Sequence, residues 1–250
     1  MIRGLYTAAS SMGVLEKKTN IRSNNLANVN TNGFKKSEAI TASFPEMLLS
    51  KIEADKADQQ IGSLATGAYL ERSFKDMSQG DFKRTDNALD FAIEGSGFFV
   101  IETENGEKYS RDGNFTINAD SELITQSGNN VLDSNGNRIQ IIPDQDFRVS
   151  AEGQITFNNG LQGAQIGLVD FENEAELAQT GDNLYELQGE TEPIASQAGI
   201  AQGYVEGSNV QIVEEMAKMI KTTRHYESNQ KVISSIDESL NKVINEVGRA

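Results

Sequence analysis

The sequence predicts an α+β fold in which N- and C-terminal coiled-coil-forming helices flank a central antiparallel all-β domain. Residues 2–34 carry a narrow apolar seam with helical spacing. Residues 208–247 carry apolar side chains at seven-residue intervals. Between residues 41 and 208 lie all three prolines, eighteen of the 22 glycines and ten of the 11 phenylalanines. That composition is typical of short strands joined by turns.

The N-terminal helix is predicted from apolar side chains that recur in alternating three- and four-residue steps. Polar Thr19 and Arg22 fill two positions in the middle of this seam. Its apolar members are Leu5, Ala8, Met12, Leu15, Leu26 and Val29. A seam this narrow favours pairing with another helix, because packing on a globular core usually needs a wider apolar face. The helix is expected to end at Asn32-Gly33, since glycine readily adopts the left-handed conformation of a helix end.

Residues 37–66 are predicted to connect this helix to the β domain. Within them, residues 45–57 suit a short helix with Pro45 in its first turn, and the polar run 54–60 suits a flexible segment. The sequence therefore divides into an N-terminal helix (1–36), a connector (37–66), a central β domain (67–207) and a C-terminal helix (208–250).

The central domain is predicted from short apolar runs that alternate with turn signals. Asn105-Gly106, Asn135-Gly136 and Asn159-Gly160 are typical of hairpin turns. The predicted strands lie at 88–93, 97–102, 108–111, 115–117, 123–124, 131–132, 139–142, 147–149, 154–157 and 165–171. This spacing predicts an antiparallel domain of short strands.

The C-terminal helix is predicted from a heptad repeat. One heptad position holds Ile212, Met219, Tyr226, Ile233, Leu240 and Val247, and a companion position holds Ile236 and Val243. Periodicity leaves two alternatives open: both helices pair with other helices, or both pack on their own domain as ordinary amphipathic helices. If the partners lie in other chains, both helices should be poorly ordered in the isolated monomer, because ordering costs about 1–2 kcal/mol per residue. Pairing of the two helices within one chain would remove that expectation.

The net charge of −15 is concentrated in the middle of the chain, where residues 41–208 hold 29 acidic and ten basic side chains. Such a surface argues against nucleic acid as a partner, because phosphate binding needs clustered Lys and Arg. The sequence has no apolar run of 18 residues, so no membrane insertion is predicted. Its start also lacks the apolar region and cleavage site of a secretory signal.

Residues suited to catalysis or metal binding are sparse. The chain has no cysteine and a single histidine, His225, which excludes disulfides, thiolate chemistry and histidine-rich metal sites. Gly95-Ser96-Gly97 lacks the third glycine of a dinucleotide site and is interpreted as a turn. Residues 133–137 space oxygen atoms like the start of a calcium loop but lack its distal glutamate, so they bind an ion or, by the preferred interpretation, form a turn. No catalytic residue, cofactor or metal is predicted.

Several runs of this sequence resemble known proteins. The N-terminal runs 4–10 (GLYTAAS) and 24–36 (NNLANVNTNGFKK) are similar to the signature of bacterial flagellar axial proteins. The C-terminal runs 202–210 (QGYVEGSNV) and 214–233 are similar to the matching motif of rod and hook proteins. Similar central segments occur at 95–99, 109–115 and 181–185. The chain is thus identified as a member of the flagellar basal-body rod and hook-basal body protein family. Residues 44–49 and 236–240 most resemble the rod paralogues of Gram-positive bacteria.

The resemblance implies a structural subunit of the basal-body rod and no enzyme. Such subunits self-assemble through their terminal helices into a helical tube that transmits motor torque for motility. The implied location is the basal body, outside the cytoplasmic membrane, after export by the flagellar type III apparatus. The implied partners are further copies of the chain, other flagellar rod and hook proteins and the export apparatus. The alternatives are a flagellar hook subunit and a binding module of the basal body that uses the β domain.

The assembly interface is expected along both helices and where the chain leaves the first one. It comprises Leu5, Ala8, Met12, Leu15, Asn25, Leu26, Asn28, Val29, Gly33, Ile212, Met219, Tyr226, Ile233, Ile236, Leu240, Val243 and Val247.

Overall fold

The computed structural model describes residues 2–45, 47–51, 59–143, 145–189 and 191–247. Its contacts divide the chain into two compact units. Unit 1 comprises residues 1–27, 37–74 and 211–250, and unit 2 comprises residues 28–36 and 75–210. The predicted α+β class is confirmed, with a helix near each end of the chain and antiparallel strands between them in sequence.

Unit 1 contains two long helices, α1 (Ile2–Ala27) and α2 (Ile212–Val247), that pack against each other. They run antiparallel, because Gly4 lies against Ile236 near one end and Ser11 accepts a 3.0 Å hydrogen bond from Asn229 further along. Glu214 and Glu215 in the first turn of α2 suit the positive end of its dipole. Since each helix is the other's partner, disorder of both in the isolated monomer is no longer expected.

The remaining part of unit 1 is built from strands. They are β1 (Ser37–Ser43), β2 (Met47–Lys51), β3 (Gln59–Leu64) and β4 (Ala68–Lys75, whose last residue belongs to unit 2). Strand β1 pairs with β4, and β2 forms an antiparallel pair with β3. The short helix predicted at 45–57 is therefore wrong over 47–51. An apolar run that short has no decisive periodicity, and pairing with β3 satisfies its backbone. Residues 46 and 52–57 of that predicted helix lie outside the described residues.

Unit 2 is an antiparallel β structure. Its strands in chain order are β5 (Phe82–Arg84), β6 (Phe91–Glu94), β7 (Phe98–Thr103), β8 (Gly106–Ser110), β9 (Phe115–Ile117), β10 (Leu123–Thr125), β11 (Asn130–Val131), β12 (Phe147–Val149), β13 (Gln154–Phe157), β14 (Gln162–Gln165), β15 (Leu168–Asp170), β16 (Leu177–Gly181), β17 (Leu184–Leu187), β18 (Ile194–Ala195), β19 (Gly199–Gln202) and β20 (Tyr204–Glu206). A short 3₁₀ turn, Glu174–Glu176, precedes β16.

The largest sheet of unit 2 has the order β16-β17-β8-β7-β11-β10-β9, and β15 joins it through β7 and carries β18. Smaller groups are β12-β13-β14, β6-β19 and β5-β20. Strand β7 is central because its two faces line different clusters. Phe99 and Ile101 belong to one buried cluster, whereas Phe98 and Val100 belong to the other. This alternation follows from the two-residue period of a strand.

The predicted strands of unit 2 are largely found, with two errors. The single strand predicted at 165–171 divides between β14 and β15, and a second predicted strand is irregular. The turn at Asn105-Gly106 joins β7 to β8 as predicted. Residues 139–142 were predicted as a strand but form only an isolated bridge, between Gln140 and Glu122. Ile139 and Ile141 are nevertheless buried, so the apolar run reflects burial and not regular pairing.

Asp112, in the turn after β8, gives unit 2 a predicted dependence on pH. Burial raises the pKa of its carboxyl group to about 6, a hydrogen bond from the Asn114 amide opposes that rise, and nearby Asp90 adds to it. A raised folded-state pKa means that the folded chain binds a proton which the unfolded chain has already lost. The resulting stabilisation is complete below the unfolded value of 3.8 and is lost as the pH rises through about 6.

We therefore expect Asp112→Asn to raise the melting temperature at pH 7.5 and to reduce the gain in stability that the wild type shows between pH 7.5 and 5. The asparagine oxygen can still accept the bond from the Asn114 amide, so the change removes mainly the charge. Melting temperatures measured by circular dichroism across this pH range test the prediction. Identical pH profiles for the two proteins would contradict it.

Candidate assembly interface

The seam between α1 and α2 contains most of the residues predicted for assembly. Ala8 is buried. Half-buried are Leu5, Met12, Leu15, Leu26, Met219, Ile233, Ile236 and Leu240. Ile212, Tyr226 and Val243 are exposed. Val247 ends α2, and its side chain lies outside the described residues. The predicted seam thus serves pairing within one chain. Strand β1 also packs against α1, and apolar side chains such as Val213 and Ile220 stay exposed on α2.

The prediction from sequence did not include the polar residues of the seam. Glu215 and Thr222 are buried and lie seven residues apart, in register with Asn229 and Ile236 of the same face. Glu215 lies 3.8 Å from the guanidinium of Arg22. The companion heptad position was recognised only where it is apolar, at Ile236 and beyond. Counting polar residues at seven-residue spacing would have found the rest.

Asn25 fixes how the chain leaves α1. Its side chain is buried and forms two hydrogen bonds with the backbone of Ser37, donating at 2.9 Å and accepting at 2.8 Å. These two bonds between the Asn25 side-chain amide and the Ser37 backbone hold the first residue of β1 against the last turn of α1. Asn25 was included in the predicted interface for this exit geometry, and the structure gives it that local role.

Three other predicted interface residues, Asn28, Val29 and Gly33, belong to unit 2, so the structure does not place them in the helix pair. Gly33 has a φ of +66°, and a Cβ added there would lie 2.5 Å from the Arg111 carbonyl carbon and from the Asp112 nitrogen. Only glycine therefore fits this position without a shift of backbone.

Unit 2 also contains a buried ionic cluster, defined as Lys35, Arg111 and Glu206. These side chains are 1%, 2% and 0% exposed. The Lys35 ammonium lies 2.5 Å from one Glu206 oxygen, and an Arg111 nitrogen lies 3.4 Å from the other. Burial lowers the pKa of Lys35, although Glu206 opposes this by favouring the charged form.

Further hydrogen bonds surround the ionic cluster, although the buried Arg111 Nε makes none. Glu206 accepts one from the Gly80 amide at 2.8 Å, and Lys35 donates one to the Ser78 carbonyl at 2.9 Å. Arg111 donates to the Gly95 carbonyl at 2.9 Å, and its guanidinium lies 5.0 Å from the Phe98 ring centre. Buried charges persist in proteins when they are paired and hydrogen-bonded in this way.

The ionic cluster lies where residues 33–36, in the first segment of unit 2, meet residues 206–209, near its end. Glu206 accepts a backbone hydrogen bond from Gly33 at 2.8 Å, and the Lys36 amide donates to the Asn209 side chain at 2.8 Å. Residues 33–36 and 206–209 are thus held side by side through backbone and side chains.

The run at residues 133–137, predicted to bind an ion or to form a turn, forms a turn in the structure. Asp133 accepts hydrogen bonds from the amides of Asn135 and Asn137, each at 2.8 Å, and so closes a turn. His225 is exposed on α2. Within the described ranges, no group of three or more His, Cys, Asp or Glu side chains is placed to hold a metal ion. No helix in the described part of the chain is both long and apolar enough to cross a membrane.

Comparison with protein families matches three parts of the chain in order. Residues 5–35 match the model described as Flagella basal body rod protein. Residues 92–160 match Flagellar hook protein FlgE/F/G D1 domain, and residues 201–246 match Flagellar basal body rod FlgEFG protein C-terminal. The first and last matches fall mainly on the two helices, and the central one falls within unit 2.

Similar curated proteins span the same length. The flagellar basal-body rod protein FlgG of Buchnera aphidicola subsp. Acyrthosiphon pisum is 36% identical, over 97% of this chain and 99% of its own. FlgG of Bacillus subtilis is 34% identical over 98% and 99%, and FlgF of Caulobacter vibrioides is 33% identical over 100% and 99%. With this identity maintained from end to end, the chain belongs to the flagellar basal-body rod protein family.

Proposed function

We propose that this chain is a structural subunit of the bacterial flagellar basal-body rod and is located in the basal body. The observation that carries the proposal is similarity to rod proteins over nearly the whole chain, together with terminal motifs that fold into one helix pair. The role requires packing surfaces and no catalytic residue. The hook alternative is less supported, because the full-length relatives named above are rod proteins.

The proposed mechanism is repeated association of identical subunits into a helical tube. Each contact joins two different surfaces, one from each of two neighbouring copies. Such contacts close into a ring only when the rotation between copies divides a full turn evenly, and otherwise they generate a helical filament. The outer faces of α1 and α2 supply these surfaces, and unit 2 contributes to the spacing of subunits. Partners in this proposal are other copies, neighbouring rod and hook proteins, and the flagellar type III export apparatus. In this proposal the chain has four parts: an N-terminal helix (1–36), a connector (37–66), a central β domain (67–207) and a C-terminal helix (208–250). The two helices form the rod core.

A gene deletion with complementation tests the function. Cells without this chain should not swim and should yield no complete basal bodies, and the wild-type gene should restore both. Swimming halos and electron microscopy of basal bodies provide the readouts. Complete basal bodies and normal swimming in the deletion strain would refute the proposed function.

Ile236→Asp should fail to restore swimming in that strain. Ile236 lies half-buried in the helix seam against Gly4, where a carboxylate would lose part of its water and weaken the pairing of α1 with α2. Ile194→Asp is the matched control, because Ile194 is 47% exposed on a strand of unit 2. We expect the control to swim normally. Equal swimming by both variants at equal protein levels would show that the helix pair is dispensable for assembly.

A further inference from the structure

Lys75, the last residue of β4, lies against the first segment of unit 2. Its side-chain nitrogen is 4.7 Å from the ring centre of Phe34 and donates a 3.3 Å hydrogen bond to the Lys35 carbonyl oxygen. Phe34 is only 2% exposed, so an apolar ring takes the place of water on one side of this nitrogen. Lys75 itself is half-buried. Its side chain is therefore partly desolvated without being closed off from solvent.

Lys75 lacks the carboxylate partner that other half-buried lysines have. Lys36 pairs with Asp76 at 3.1 Å, and Lys218 pairs with Glu214 at 2.6 Å. Within the described part of the chain, no carboxylate oxygen comes within ion-pair distance of the Lys75 nitrogen. Burial without a counter-charge disfavours the charged form of an amine.

The charged groups around Lys75 are turned towards other partners. Lys35 offers its carbonyl oxygen, whereas its ammonium group lies against Glu206. Asp76, the next residue in the chain, faces Lys36. Burial accordingly lowers the pKa of Lys75 to about 8. At pH 7.5 about one Lys75 in four is then neutral, against about one in a thousand for a lysine with the ordinary pKa of 10.5.

We propose that Lys75 is a site of selective acylation by small activated acyl compounds, namely acyl phosphates and thioesters. The lone pair of the neutral side-chain nitrogen attacks the carbonyl carbon of the donor, and a C–N bond forms. The bond from that carbon to the phosphate oxygen or the sulfur breaks, and the leaving group keeps the bonding electron pair. A proton of the nitrogen passes to water. The product is an uncharged amide.

The contacts of Lys75 tolerate this product. An amide nitrogen keeps one N–H, which can still donate to the Lys35 carbonyl oxygen. The attraction between a positive charge and the Phe34 ring is lost, because acylation removes that charge. Acylation therefore changes the charge beside the segment that carries Lys35 of the ionic cluster. The reaction needs no assembled rod, so this inference stands independently of the proposed function.

Acetylation rates of the purified full-length chain test the proposal. The chain is treated at pH 7.5 with a limiting amount of acetyl phosphate, and the acetylation of each lysine is followed by mass spectrometry of its peptides. Lys17, exposed on α1, is the reference. Lys75 should react at least about tenfold faster, because its larger neutral fraction outweighs the lower nucleophilicity of a weaker base. Its rate should level off above about pH 8, whereas that of Lys17 should continue to rise.

Two controls assign the effect to the folded structure. Lys75→Arg should remove the fast reaction and leave the rate at Lys17 unchanged. In concentrated urea, Lys75 and Lys17 of the wild-type chain should react at similar rates, because unfolding returns water to both amines. Equal rates in the folded chain would overturn the proposal. A preference for Lys75 that persists in urea, or a Lys75 rate that rises with pH in parallel with Lys17, would overturn it as well.

Discussion

Glu206→Ala is expected to lower the free energy of unfolding of unit 2 by about 3–5 kcal/mol. The substitution leaves Lys35 and Arg111 buried without their counter-charge and removes the acceptor of the Gly80 amide. Breaking a buried ion pair by removing one partner costs more than the pair contributes, because the remaining charges cannot regain their water. Urea unfolding followed by near-ultraviolet circular dichroism measures the loss, since buried tyrosines such as Tyr185 give the signal.

An exposed ion pair supplies the matched control. Arg84 lies 2.6 Å from Asp86, a distance close to that between Lys35 and Glu206, but both side chains are about 70% exposed. Arg84→Ala should leave the unfolding midpoint nearly unchanged, because water solvates the remaining carboxylate. Glu206→Gln keeps an acceptor for the Gly80 amide, so its unfolding midpoint should lie between those of Glu206→Ala and Arg84→Ala. Equal midpoints for Glu206→Ala and Arg84→Ala would show that the buried cluster contributes no more than a surface pair.

The helices could be predicted from the sequence because their signal is local. A seven-residue repeat places Met219, Ile233 and Leu240 on one face whatever the partner is. The identity of the partner could not be predicted in the same way. A seam that faces another chain and a seam that faces α1 of the same chain have identical periodicity, so only the structure decided between them.

The ionic cluster could not be predicted because its members are remote in sequence. Lys35 and Glu206 are separated by 171 residues, and Arg111 and Glu206 by 95. All three lie within or beside motifs that resemble the rod family, but no local pattern says that these charges are buried or paired. Their pairing depends on how the strands of unit 2 bring residues 33–36 beside residues 206–209.

The strand errors have a similar origin. Residues 47–51 and 139–142 are short apolar runs, and such runs report burial more reliably than they report backbone conformation. The first run became a strand because residues 59–64 pair with it. The second became irregular because its neighbours offer it hydrogen bonds at scattered positions, such as the one from the Ile139 amide to the Val131 carbonyl. Both results depend on partners that a single window of sequence does not contain.

Gly33→Ala is expected to destabilise unit 2 by about 2–5 kcal/mol, as the sum of two effects. The left-handed backbone at φ +66° costs a non-glycine residue about 1–2 kcal/mol. The added methyl group would also lie 2.5 Å from backbone atoms of Arg111 and Asp112, which cannot rotate away as a side chain can. Overpacking of this kind costs about 1–3 kcal/mol. Urea unfolding of the purified chain gives the total.

Gly136→Ala separates the two effects, since Gly136 has a similar φ of +79° but open space where its Cβ would lie. It should lose only the backbone component, about 1–2 kcal/mol. The excess loss in Gly33→Ala then measures how closely residue 33 packs on the turn at residues 111–112. Because Glu206 accepts the Gly33 amide hydrogen bond, a shift of this backbone should also disturb the ionic cluster. Combining Gly33→Ala with Glu206→Ala should therefore cost less than the sum of the single losses. Strict additivity of the two losses would mean that the tight turn and the buried charges stabilise unit 2 independently.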